Sequence, residues 1–234
     1  MASTTRDIAK IPTEILFAIF QFLPLEGLQG VRLVCRRWRT IVDNDILLRL
    51  ATLRIASVED MQQKMDSHLI QRVGGIILNG DEVKNPHPYF TSLVPAVLEL
   101  VASRHRPLKL LRIENMEARY RLQLGGEHED TLGRAVCNAE DVAITCMLTR
   151  DQQRRVFDAI ANAETVALKK LRMFWVDDTD TESDFELMFK AVTKLSQVDV
   201  ELVSENLYDK IEDLGLLTSK SLNIRDVLPE LVPA

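Results

Sequence analysis

The chain has no apolar run approaching the roughly 20 residues that a membrane span needs, and its first ten residues, MASTTRDIAK, lack the apolar core of a secretory signal. Cysteine is scarce too: Cys35, Cys137 and Cys146 are an odd number with no CxxC or Cys/His ligand spacing. That pattern argues against a disulfide framework and against a zinc site; each is flanked by apolar residues and reads as a small, reduced core side chain. Sequences of a nucleophile elbow, a phosphate-binding loop or an HExxH zinc helix are missing as well. Four histidines, His68, His87, His105 and His128, lie far apart and provide no argument for catalysis. The expectation is a protein of the cytosol or nucleus with no cofactor, no metal, no membrane partner and no catalytic residues.

What is present is ordinary globular composition, 46% hydrophobic and 27% charged, over 234 residues, room for one or two domains. The net charge of −6 is unevenly spread. Residues 1–56 carry 8 Lys/Arg against 5 Asp/Glu, whereas the remainder is strongly acidic; two segments of different role are implied. The basic residues of the first segment, Arg32, Arg36, Arg37 and Arg39, back a short helix without interleaved aromatics, which does not suggest nucleic acid.

Residues 11–50 hold the most informative stretch. Ile15, Leu16, Phe17, Ile19, Phe20, Phe22 and Leu23 cover nearly the whole circumference of a helix that opens at Ile11-Pro12 and runs to about Phe22, and such a helix expects burial on every side. A unit of about 40 residues hides too little surface to provide this alone. Either the remainder of the chain covers the helix or another protein does. Pro24 ends it, a second short helix follows near 25–33, and Val31, Val34, Cys35, Trp38, Ile41 and Val42 then form one apolar stripe at helical spacing.

The run from Ile11-Pro12 through Glu14, Ile15, Leu16, Ile19, Phe20, Leu23, Pro24, Leu25, Leu28, Val31, Leu33, Val34, Cys35, Arg36, Arg37, Trp38 and Arg39 to Asp43 resembles the F-box. Two departures are visible: Ile11 stands where leucine is usual, and Leu47-Leu48 where a leucine-tryptophan pair often closes the motif. The resemblance covers about 40 residues. It implies a three-helix module that docks on the Skp-type adaptor, and through it the cullin, of an SCF-type ubiquitin ligase. The adaptor-contacting positions it carries over are Pro12, Ile15, Leu16, Ile19, Phe20, Leu23, Leu28, Val31 and Val34, with Trp38 and Cys35 packed inside.

Beyond the module, residues 46–70 read as a helical connector. The triads Ile76-Ile77-Leu78, Leu111-Arg112-Ile113, Val142-Ala143-Ile144, Leu171-Arg172-Met173, Val198-Asp199-Val200 and Leu222-Asn223-Ile224 then recur at intervals near those of leucine-rich repeats. Helices lie between them, with capping-box spacing at Thr149/Gln152 and Ser183/Glu186. One helix is expected over 151–162, with Val156, Ile160 and Ala163 on one side, and another over 184–195. Strand, helix and parallel strand in repetition suit a curved solenoid; a compact α/β domain with a parallel sheet remains the alternative. The fold class expected is therefore α/β, an N-terminal three-helix module at 8–50, a connector at 51–70 and a short leucine-rich-repeat-like array at 71–234.

Strand alternation sends Arg112 and Glu114, Arg172 and Phe174, Asp199 and Glu201, and Asn223 and Arg225 out of the core. The first six are the expected partner-binding residues. The acidic run at 177–184 lacks the turn glycine and terminal glutamate of a calcium loop and suits a solvated loop at a helix start. Gly125-Gly126-Glu127-His128-Glu129-Asp130 reads as a surface turn. Three functions stay open: a non-catalytic substrate receptor of an SCF-type ligase holding an unknown protein target for degradation, an F-box scaffold with a non-degradative role, and a self-contained α/β enzyme.

Overall fold

A computed structural model describes residues 11–55, 71–79, 93–114, 124, 126–146, 148–174, 187–188, 190–191, 194, 199–204 and 222–226. Four helices come first: α1 (Thr13–Phe20), α2 (Leu25–Arg32), α3 (Arg36–Val42) and the single turn α4 (Asp45–Leu48). Pro12 occupies the N-cap of α1 and Pro24 that of α2, where a missing N–H costs no helical bond. Asn44 caps α4, its Oδ1 accepting from the Ile46 N–H at 2.8 Å. The expected single stripe from Val31 to Val42 is broken. Cys35 is extended (φ −159°, ψ 167°) and serves as N-cap of α3, so Val34 and Cys35 fall off the stripe and are exposed; Cys35 is not the interior residue expected.

Seven parallel strands follow among the described residues: β1 (Thr52–Ile55), β2 (Gly75–Asn79), β3 (Leu108–Glu114), β4 (Ala139–Ile144), β5 (Lys170–Phe174), β6 (Asp199–Ser204) and β7 (Leu222–Asp226). They form one sheet in sequence order, β1 to β7. A doubly wound sheet reverses its strand order at a switch point; this one never does, which is the topology a strand-and-helix array requires. The expected connector begins instead with a strand: Thr52–Ile55 pairs with β2, while residues 56–70 lie outside the described residues. The missed signal is the triad Leu53-Arg54-Ile55, the same residues as Leu111-Arg112-Ile113.

Register explains the core. Leu53, Ile76, Leu111, Val142 and Leu171 align across five strands, as do Ile55, Leu78, Ile113, Ile144 and Met173. Every one of these ten is at most 1% exposed. At about 25 cal/mol per Å² of apolar area, two such ladders supply the main driving force for stacking the strands. Residues between the ladders, Arg54, Ile77, Arg112, Ala143 and Arg172, are half-buried or exposed, so across β1 to β5 one face of the sheet is covered and the other is the more open. In β6 the aligned triad is Val200-Glu201-Leu202, two residues on from the expected Val198-Asp199-Val200.

The covered face lies against α5 (Val94–Ala102), α6 (Gly126–Cys137) and α7 (Arg150–Asn162), stacked in that order by contacts of α5 with α6 and α6 with α7. Gly133 permits the second approach, since a Cβ there would lie 2.5 Å from the Cβ of Ala159. The capping box of α7 is as expected: Thr149 Oγ1 accepts from the Gln152 N–H at 3.3 Å and Gln152 Oε1 from the Thr149 N–H at 2.9 Å. Val156 and Ile160 are buried on its inner side, joined by Phe157, while Ala163 is its C-cap. Gly126 opens α6, so residues 126–130 of the stretch expected as a surface turn are the start of a helix. Ser183/Glu186 and the acidic run at 177–184 lie outside the described residues; of the helix expected over 184–195, residues 187, 188, 190, 191 and 194 are described as helical, with Met188 and Ala191 buried.

Candidate functional site

Helix α1 divides its apolar residues between two owners. Leu16 and Phe20 are 2% and 3% exposed, one helical turn apart and directed into the module, where the Phe20 ring meets Trp38 edge-on with centroids 5.3 Å apart. Leu28 is equally buried, and Leu25, Ile41 and Val42 complete the module core. Leu16, Phe20 and Leu28, all expected among the adaptor contacts, are therefore interior residues of the free chain. Leu23 and Val31 are half-buried against this core.

The opposite side of α1 is open. Ile15 and Ile19 are 52% and 49% exposed and Phe22 is 82% exposed; with the exposed Pro12 they fall at i, i+3, i+7 and i+10, a continuous apolar stripe facing water. A second exposed pair, Leu33 and Val34 (79% and 60%), sits where α2 gives way to α3. Phe22 and Leu33 lie outside the expected contact set. An all-round apolar helix has no periodic signal that sorts its inner from its outer residues, which is why sequence assigns both kinds to one face.

Polar contacts hold the module in shape beneath this surface. Arg32 Nε lies 2.7 Å from Asp43 Oδ1, joining α2 to the end of α3, and Arg37 Nη2 donates to the Ile11 carbonyl and to Thr13 Oγ1, tying α3 to the start of α1. The module is also joined to the sheet without slack. The Gly74 N–H donates to the carbonyls of Leu48 (3.1 Å) and Ala51 (3.0 Å), and a Cβ on Gly74 would lie 1.7 Å from the Arg49 carbonyl oxygen. Arg72 adds a clamp from the sheet side, its Nε donating to Asp45 Oδ1 at 2.8 Å and its Nη2 to the Asp43 carbonyl.

Three of the second set of expected residues, Arg112, Glu114 and Arg172, lie on the open face of the sheet. Arg112 is half-buried and its Nη1 lies 3.3 Å from Glu114 Oε1; Arg172 is exposed. Arg54, Ile77, Arg112, Ala143, Arg172, Glu201 and Asn223 form one cross-strand row. Asp199 aligns with Lys170 instead, and Phe174 with Val203. The two-residue shift of β6 keeps parity, so Glu201 and not Asp199 shares the row of Arg172. Arg54 belongs to this row and is missed along with its strand.

The described residues contain no group of three or more His, Cys, Asp or Glu side chains able to hold a metal ion. Burial pushes the Cys146 thiol up to about 12, and burial pushes Cys137 up to about 11 against the opposing influence of Lys194; raised thiols are poor nucleophiles at neutral pH. No helix among the described residues is long and apolar enough to cross a membrane.

Comparison with known proteins bears on the module. A family model described as F-box-like matches residues 8–53, about a fifth of the chain, and the N-terminal helices are thereby an F-box-like domain. The match ends two residues into β1, so domain and sheet meet without an intervening linker. No curated protein matches the chain.

Proposed function

We propose that this protein is a substrate-receptor subunit of an SCF-type ubiquitin ligase, non-catalytic itself, which docks a Skp-type adaptor, and through it a cullin, with its F-box-like domain and holds a protein target on the open face of the parallel sheet. The observation that carries the reading is the stripe Ile15, Ile19 and Phe22, about half exposed or more on a helix whose other side is packed. Contiguous exposed apolar surface on a folded domain marks an interface, and large side chains at the centre of such a patch supply most of the binding energy. Pro12 and Val34, both exposed, extend the docking surface, with Leu23 and Val31 at its edge.

Arg54, Arg112, Glu114 and Arg172, together with Phe174, Asp199 and Glu201, form the target-facing set. A receptor of this kind makes and breaks no bond. It raises the effective concentration of the target beside the transferring enzyme, in the cytosol or nucleus where such ligases work.

The test is capture of a purified Skp-type adaptor by the purified chain, measured by calorimetry. Ile15→Asp with Ile19→Asp removes two central apolar contacts and places two charges in the interface; at about 2 kcal/mol or more for each position, binding falls at least several hundred-fold. The circular dichroism spectrum stays that of the parent, since both side chains point to water. Undiminished binding by this variant sinks the proposal.

A further inference from the structure

Where the module meets the sheet, a cavity of about 310 Å³ opens at the N-terminal ends of β2, β3 and β4. Five cations line it, Arg49, Arg72, Arg104, Arg106 and Lys109, against two carboxylates, Asp45 and Glu140. A local excess of three positive charges on a chain of net charge −6 is not the average surface of this protein.

Both carboxylates are already committed. Asp45 Oδ1 lies 2.6 Å from Arg72 Nη2, and Glu140 Oε2 lies 2.7 Å from Lys169 Nζ. Arg49, Arg106 and Lys109 are left without a carboxylate among the described residues, beside Arg104, whose Nη2 donates to the Val73 carbonyl at 2.8 Å. Burial holds the Arg104 guanidinium below its ordinary pKa, the sign of a cation that has given up solvent. Like charges gathered round one partly enclosed space repel, and an anion seated between them would offset that repulsion.

The position is fixed by rigid backbone. Arg104 and Asn138 are joined where Asn138 Nδ2 donates to the carbonyls of Val101 and Arg104 at 2.8 and 3.0 Å. Lys109 follows directly, its N–H donating to the Gly74 carbonyl. The cations thus come from α4's end and from two neighbouring strand entries that cannot drift apart.

We propose that this cavity binds a compact anion carrying two or more phosphate-type groups. A single phosphate occupies only a fraction of 310 Å³; a linked pair or triple of such groups fills more of the space between Arg49 on the module side and Arg106 and Lys109 on the sheet side. Arginine supplies forked donors for phosphate oxygens and lysine a point charge. An occupant here bridges the F-box-like domain and the array. The proposal stands on the cavity alone and is independent of adaptor docking.

The experiment is isothermal titration of the full chain with tripolyphosphate, pyrophosphate and orthophosphate at one matched ionic strength, because exposed charge binding is screened by salt. Saturable one-to-one binding is expected, tightest for tripolyphosphate and weakest for orthophosphate. Arg106→Gln and Lys109→Gln, both at exposed side chains, each weaken tripolyphosphate binding about tenfold or more, the loss expected for a charge-assisted hydrogen bond. Arg154→Gln, on exposed α7 surface, changes it by less than about twofold, the scale of a distant screened charge. A parent thermal midpoint in each variant shows that folding is retained. Heat that does not saturate, equal affinity for the three anions, or an Arg106→Gln/Lys109→Gln double variant that binds as the parent does overturns the proposal.

Discussion

Ile19 and Phe20 are chain neighbours of opposite role, and the contrast can be measured. Phe20 is 3% exposed and packs edge-on against Trp38 at 5.3 Å; Ile19 is 49% exposed. Phe20→Ala removes a buried aromatic and leaves a cavity in a module too small to collapse onto it. A cost of about 3–5 kcal/mol is expected, the upper part reflecting the lost ring pair. Ile19→Ala deletes atoms already in water and falls within about 0.5 kcal/mol of the parent. Urea titration followed by Trp38 fluorescence reads the module directly, with Trp175→Phe in every sample to silence the other tryptophan of the chain. The midpoint drops sharply for Phe20→Ala and stays put for Ile19→Ala, while adaptor affinity of the folded protein shows the reverse order. Equal midpoints for the two variants, or a larger loss for Ile19→Ala, would refute the assignment of inner and outer faces on α1.

Two further outcomes follow from packing and titration. Gly74→Ala forces a Cβ to within 1.7 Å of the Arg49 carbonyl oxygen, a backbone atom that cannot rotate away; a loss of at least about 2 kcal/mol in chemical denaturation is expected from overpacking, and an unchanged midpoint would mean the junction is loose. Cys146 and Cys137 have folded pKa values of about 12 and about 11, raised by burial from an ordinary 9.0. The folded state therefore holds protons that the unfolded chain releases above pH 9, so this stabilisation is complete below pH 9 and is lost as pH climbs through 11 to 12, by at most about 1.4 kcal/mol per pH unit for each thiol. Cys146→Ala flattens the fall in urea midpoint between pH 9 and 11; an identical slope in parent and variant would contradict the burial of that thiol.

Legibility in the sequence follows the physics of each signal. The triads at Ile76, Leu111, Val142 and Leu171 reveal their true register because two buried positions flank one open position, and only a strand with one covered face reads that way. The same signal fixes a strand only to within a shift of two, since a two-residue slip preserves which side chains face the core; Val198-Asp199-Val200 and Val200-Glu201-Leu202 alternate equally well, and β6 takes the second. Strand β1 is hidden for another reason: Leu47, Leu48, Leu50, Leu53 and Ile55 lie so close in sequence that a short strand dissolves into an apolar helix pattern. The capping box at Thr149 is legible because it is local, needing no partner beyond Gln152. Cys35 is not, because no glycine or proline stands at 33–35 to mark the break.

The helical module is more than an attached docking domain. An array of strand-and-helix units has an open end wherever the stack stops, and that end must be covered. Leu47, Leu48 and Ala51 are at most 4% exposed, and the carbonyls of Leu48 and Ala51 accept from the Gly74 N–H at the entry to β2; α4 is thus seated at the start of the array while α1 presents its apolar stripe outward. The module reaches the sheet directly, because the connection from α4 to β1 is only three residues long. The consequence is geometric. With Arg72 clamped to Asp45 and Gly74 seated on Arg49, the stripe at Ile15, Ile19 and Phe22 and the open row at Arg54, Arg112 and Arg172 are held at a fixed separation. On the proposed function, a short, stiff connection of this kind raises the effective concentration of a target held on the row at a partner docked on the stripe.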